Sequence, residues 1–94
     1  MDRELREGEL ILGYYRVLGT IGKGDFGVVY KVRGEKGRYR GKILALKVAT
    51  NPYAVEHLWK EAQTLILFNH PNIISLQSYL YKKESRELYV LYEL

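Results

Sequence analysis

The run Ile21-Gly22-Lys23-Gly24-Asp25-Phe26-Gly27-Val28-Val29 constrains this chain more than any other segment. Three glycines so close together form a tight loop, and the residues that follow decide which kind. After Gly27 come Val28, Val29, Tyr30, Lys31 and Val32, a β-branched and aromatic stretch that favours a strand over a helix. A dinucleotide-binding loop with the same G-x-G-x-x-G letters needs a helix at that point, so that a pyrophosphate can meet the helix's amino end. A strand-loop-strand flap is the other phosphate-covering device with this spelling. No Gly-Lys-Ser or Gly-Lys-Thr occurs in the 94 residues, so a P-loop has no support.

Around the flap the pattern predicts a first strand from Tyr14 to Ile21 and a second from Gly27 to Arg33. Gly34, Gly37 and Gly41 then punctuate a connector before a third strand at Lys42 to Thr50. Asn51-Pro52 reads as a helix start: the Asn side chain can accept from free backbone donors, and Pro sits where its missing N–H costs nothing. Val55, Leu58, Trp59, Ala62, Leu65 and Ile66 continue a helical stripe to about Asn69, where His70-Pro71-Asn72 breaks it. Ile73 to Tyr81 and Glu87 to Glu93 read as a strand pair joined by the charged turn Lys82-Lys83-Glu84-Ser85-Arg86. Pattern alone gives an α+β domain with a curled sheet.

At this length the chain holds one domain, with residues 1–13 as an N-terminal extension and 14–94 as the folded unit. The absence of cysteine excludes disulfides and thiolate metal sites, and His57 and His70 are too far apart for a paired ligand motif, so no metal site is expected. Residues 1–13 alternate acids and bases without the apolar core of a signal peptide. The longest apolar runs, Ile43 to Leu46 and Leu65 to Phe68, are too short to cross a bilayer, so the expectation is a soluble cytoplasmic protein without a membrane partner. Of the net charge of +4, much lies between Arg33 and Lys42, where Arg33, Lys36, Arg38, Arg40 and Lys42 face Glu35 alone. That stretch reads as a solvated basic loop. With nine tyrosines it raises nucleic-acid binding, but no aromatic-plus-basic motif is regularly spaced and no nucleic-acid partner is expected.

Lys47 stands out on chemical grounds. Strand alternation puts Ile43, Ala45, Lys47 and Ala49 on one face and Leu44, Leu46 and Val48 on the other. An ammonium in so apolar a strand is costly unless something anionic meets it, either a ligand phosphate or a carboxylate from the helix. Small Ala45 and Ala49 beside it leave room for a flat ligand. Glu61 and Glu56 are the helix carboxylates that compete to be its partner.

These residues together resemble the amino-terminal lobe of the eukaryotic-like protein kinases. The family's G-x-G-x-x-G-x-V loop is matched by Gly22, Gly24, Gly27 and Val29, its apolar-Ala-apolar-Lys strand by Leu44 to Lys47, and Glu61 stands at the family's spacing before His70-Pro71-Asn72-Ile73-Ile74. The resemblance covers roughly Tyr14 to Leu94. It implies a five-stranded antiparallel sheet with one helix inserted after the third strand. It also implies ATP as the ligand, with Gly22, Gly24 and Gly27 covering the phosphates, Phe26 capping them at the tip, Ile21 and Val29 closing over the adenine, Val29 and Ala45 sandwiching it, and Lys23, Asp25 and Val28 as further residues of the nucleotide-binding segment. Lys47 would bridge the α/β-phosphates and Glu61. Tyr92 would guard the rear of the pocket, and the backbone of Glu93 and Leu94, where the hinge begins, would bond the adenine edge. Leu65 and Leu76 correspond to the family's spine positions. The letters Asp25-Phe26-Gly27 also spell the family's magnesium motif, but they lie inside the glycine loop and are read as coincidence; Asp25 at the tip would repel phosphate.

The aspartate base, the magnesium-holding asparagine and aspartate, and the activation segment of the family do not occur in these 94 residues. The leading expectation is therefore the ATP-binding lobe of a Ser/Thr-type kinase that does not transfer phosphate by itself, with Mg2+ expected only in a complete kinase. The alternative is a lone-lobe interaction or regulatory module that self-associates or docks on a full kinase or a C-terminal kinase lobe.

Overall fold

The computed structural model describes residues 4–24, 27–68 and 76–94, and the side chains of these except 65–68. The expectations for Asp25, Phe26, the Leu65 side chain and the His70-Pro71-Asn72-Ile73-Ile74 run lie outside the described residues. In chain order the elements are β1 (Leu10–Ile11), β2 (Tyr15–Gly24), β3 (Gly27–Gly34), β4 (Ile43–Ala49), α1 (Pro52–Phe68), β5 (Leu76–Lys82) and β6 (Glu87–Glu93). The strands form one sheet in the order β1-β2-β3-β4-β6-β5, with every neighbouring pair antiparallel.

The sheet therefore has six strands among the described residues, not the expected five. The additional one is β1, which precedes the first predicted strand. Leu12 and Gly13 both take positive φ (56° and 73°), and the Tyr14 N–H donates to the Ile11 carbonyl at 3.0 Å, closing a tight turn within the three-residue connection from β1 to β2. Beyond it, the Gly8 N–H donates to Val17 O and the Val17 N–H to Glu9 O, each at 2.8 Å. Two residues are too few to show an alternation, so the strand has no sequence signature.

Alternation along β4 divides the core into two layers, as the residues predict. One face carries Leu44, Leu46 and Val48 with Val17, Tyr30, Val32, Tyr89 and Leu91, and the amino-terminal segment closes over it through Leu5, Ile11 and Leu12. The other face carries Ala45 and Ala49 with Leu88, Val90 and Tyr92, and α1 lies on it through Ala54, Leu58 and Ala62. The helix begins where Asn51 and Pro52 predict it: the Ala54 N–H donates to Asn51 Oδ1 at 2.8 Å.

The basic connector is pinned rather than loose. A side chain at Gly34 would run into the Tyr39 carbonyl, which makes glycine obligatory there. Tyr39 itself is buried and its hydroxyl donates to the Gln77 carbonyl at 3.1 Å. Arg33, Lys36, Arg38, Arg40 and Lys42 remain exposed. Arg16 and Arg33 bond Glu35 at 2.9 and 3.3 Å and hold its carboxyl below the usual range.

Candidate functional site

β2 and β3 carry the glycine-rich segment as a flap whose register runs Gly22↔Val29, Lys23↔Val28 and Gly24↔Gly27. Ile21 falls in an irregularity of that ladder and is half exposed. The three glycines differ in their surroundings. Gly27 has φ +131°, and a side chain there would strike the Val48 carbonyl, so the protein's own packing demands it. At Gly22 and Gly24 an added Cβ would meet nothing within 4 Å. Among the described residues nothing excludes a side chain at these two positions.

Opposing residues continue the row across the sheet. Gly22 faces Val29, Val29 faces Lys47, and Lys47 faces Val90; one row over, Lys31 faces Ala45 and Ala45 faces Tyr92. Val29, Ala45, Lys47 and Tyr92 thus share the α1 side of the sheet. Lys23 and Val28 fall on the other side: Val28 packs against the opposite layer, and Lys23 Nζ lies 3.4 Å from Glu4 Oε2. Any contact of these two with a ligand beside Lys47 is through their backbone. Glu93 is exposed at the end of β6, paired with Leu44, and Leu94 follows it, also exposed.

Of the two helix carboxylates, Glu61 meets the lysine. Lys47 Nζ is 3.5 Å from Glu61 Oε2, while Glu56 pairs with Lys60 one turn along the exposed helix face. Glu61 precedes Ala62 and follows Leu58 by three, so it rises at the edge of the buried stripe. Its second oxygen, Oε1, accepts from the Tyr92 hydroxyl at 2.7 Å. Burial and the neighbouring carboxylate together push the Tyr92 hydroxyl well above the ordinary tyrosine value. This contact was not legible in the sequence, because residues 61 and 92 meet only when α1 docks on β6.

Among the described residues Lys47 has one anionic partner, Glu61, at long range, and it lies beside Val29, Ala45 and Val90. Such a group retains capacity for a second anion. A cavity of about 460 Å³ lies elsewhere, between α1 and the β5–β6 hairpin, lined by Val55, Trp59, Tyr79, Tyr81 and Leu88 among others. Ile21, Ile43 and Leu94 are exposed, and the Lys47 side chain is partly buried. Among the described residues no group of three or more His, Cys, Asp or Glu could hold a metal ion, and no helix is long and apolar enough to cross a membrane.

Comparison with known proteins gives the class. The family profile described as "Protein kinase domain" matches residues 15–94. The chain is 33% identical over 85 residues to serine/threonine-protein kinase SIK2 of Gallus gallus, covering 89% of this chain and 10% of that protein. It is 34% identical over 85 residues to serine/threonine-protein kinase SIK1 of Rattus norvegicus, covering 89% and 11%. CDPK-related kinase 7 of Arabidopsis thaliana is 27% identical over 100 aligned positions, covering 100% and 17%. This chain belongs to the protein kinase domain family and corresponds to the amino-terminal lobe of that domain. It spans between a tenth and a sixth of the length of these relatives.

Proposed function

We propose that this lobe is the ATP-binding half of a Ser/Thr protein kinase, holding the nucleotide on the α1 side of the sheet under the β2–β3 flap. The observation that carries the reading is the Lys47–Glu61 contact of 3.5 Å on an apolar face, beside glycines that the protein's own packing leaves unexplained. Lys47 binds the α- and β-phosphates while Glu61 holds its ammonium in place. Backbone N–H groups at Gly22 and Gly24 approach the phosphates, and Val29 and Ala45 cover the adenine with Ile21 at its rim. The backbone of Glu93 and Leu94 meets the adenine edge. General-base and metal-holding residues of the family are absent from these 94 residues, so the lobe positions phosphates and does not by itself transfer them.

Titration of the chain with ATP tests this directly. The expected dissociation constant is in the millimolar range, about −4 kcal/mol, because one face of the nucleotide stays exposed. Lys47→Met should weaken ATP by about tenfold, the loss of one charge-assisted contact, and leave adenosine nearly unaffected. Equal affinity of wild type and Lys47→Met for ATP rules the reading out.

A further inference from the structure

Among the tyrosines of this lobe, Tyr92 has a hydroxyl aimed at the site's carboxylate. We propose that Tyr92 is a positioning residue for Glu61: its hydroxyl, 2.7 Å from Glu61 Oε1, holds the glutamate toward Lys47, so that the lysine is kept in place without being consumed by a tight ion pair.

The two contacts on one carboxylate differ in quality. At 2.7 Å the hydroxyl bond has the length of a charge-assisted O–H···O⁻ bond, whereas 3.5 Å is long for N⁺–H···O⁻, which is ordinarily 2.7–2.9 Å. The tyrosine therefore sets where the carboxylate sits, and the lysine follows with slack. Glu61 needs such a hold because its side chain is 38% exposed and has water as a competing destination. Tyr92 can supply it because the residue is only 7% exposed and its ring packs in the layer between sheet and helix, where Leu58, Ala62, Val90 and Leu76 also lie. A donor fixed on β6 and an acceptor carried by α1 make a direct polar tie between sheet and helix beside the lysine. The hydroxyl also stays protonated through the neutral range, since burial and the carboxylate both oppose its ionisation. The role proposed for Lys47 toward phosphate is the part of this inference that rests on the proposed function; the hold on Glu61 does not.

Carboxyl-labelled glutamate NMR on the nucleotide-free chain separates the two. In wild type, Lys47→Met should shift the Glu61 carboxyl resonance, because the ammonium is beside it. In a Tyr92→Phe background the same Lys47→Met change should leave that resonance where it is, because the freed carboxylate has turned to solvent. An undiminished response in the Phe background overturns the proposal. If Tyr92→Phe fails to fold, the Tyr92 ring-carbon signal in Glu61→Ala reads the contact from the other end: it should move from its wild-type position, and an unmoved signal overturns the proposal. Where wild type binds ATP, Tyr92→Phe should weaken ATP by about fivefold or more while adenosine changes little, given the usual strength of a hydrogen bond to a charged group; equal ATP affinity also overturns it. A wild type that binds no ATP removes the proposed function and leaves the NMR comparison to judge the tyrosine.

Discussion

The two faces of β4 are built from the same seven-residue strand and have opposite characters. Leu44, Leu46 and Val48 enter a layer of branched and aromatic side chains that the amino-terminal segment closes. Ala45, Lys47 and Ala49 enter a layer where α1 is brought close by Ala54 and Ala62, and where the lysine and Glu61 sit at the edge. Large apolar side chains on one side supply burial, worth roughly 1.5–3 kcal/mol for each fully buried Leu or Val. Small ones on the other give up some burial and leave space beside a charge. A period of two lets one strand give one face to burial and the other to the proposed ligand chemistry.

Substitutions should separate the faces. The largest loss is expected from Leu46→Ala, which removes a side chain 1% exposed and costs about 2–5 kcal/mol, enough to unfold much of a lobe this small; denaturant unfolding measures it. Alkaline pH attacks both faces at once, through Tyr89 in one layer and Tyr92 in the other. Burial and a bonded glutamate, Glu87 for Tyr89 and Glu61 for Tyr92, raise both hydroxyls above the ordinary value of 10.0. The unfolded chain releases these protons first, so their contribution is intact below pH 10 and is lost as pH rises beyond it, by up to about 1.4 kcal/mol per pH unit for each tyrosine. Denaturant unfolding at stepped alkaline pH should show that slope, and Tyr92→Phe should reduce it; a flat profile contradicts the assignment.

Asn51→Ala should cost about 1 kcal/mol through the lost cap on Ala54, whichever face is considered. Lys47→Met should change stability by less than about 1 kcal/mol, since its partner is well exposed, although it is the substitution expected to matter most for ATP. Gly22→Ala sharpens the contrast furthest: with nothing within 4 Å of the added methyl, melting should hardly move, while ATP affinity falls. A Gly22→Ala chain that melts early and binds ATP normally would invert the roles given to the two faces.

Much of this contrast was legible in the chain itself, for identifiable reasons. The β4 faces followed from alternation, α1 from Asn51-Pro52 and its stripe, and β6 from Glu87 to Glu93 with the observed bounds. Each of these signals is local. The choice of Glu61 over Glu56 as the lysine's neighbour came from resemblance, and the fold supplies the physical cause: position 56 faces water beside Lys60. What could not be read depends on contacts distant along the chain. β1 is two residues long and is defined by its partner strand, and the Tyr92 hydroxyl finds Glu61 across 31 positions. The glycines spelled one motif, yet Gly27 answers to the backbone of β4 and Gly22 does not.

The family profile matches from residue 15, but the packed layer begins earlier. Leu5 donates its N–H to the Tyr30 hydroxyl at 2.8 Å, Glu4 reaches Thr20 at 3.1 Å, and Ile11 is 4% exposed. A shortened version trimmed to residues 15–94 would strip the lid from the layer beneath β3 and β4 and wet Val17, Tyr30 and Leu46 together. The profile match and the packed unit of this lobe differ by about ten residues, because the short hairpin ahead of the matched region covers one face of the sheet.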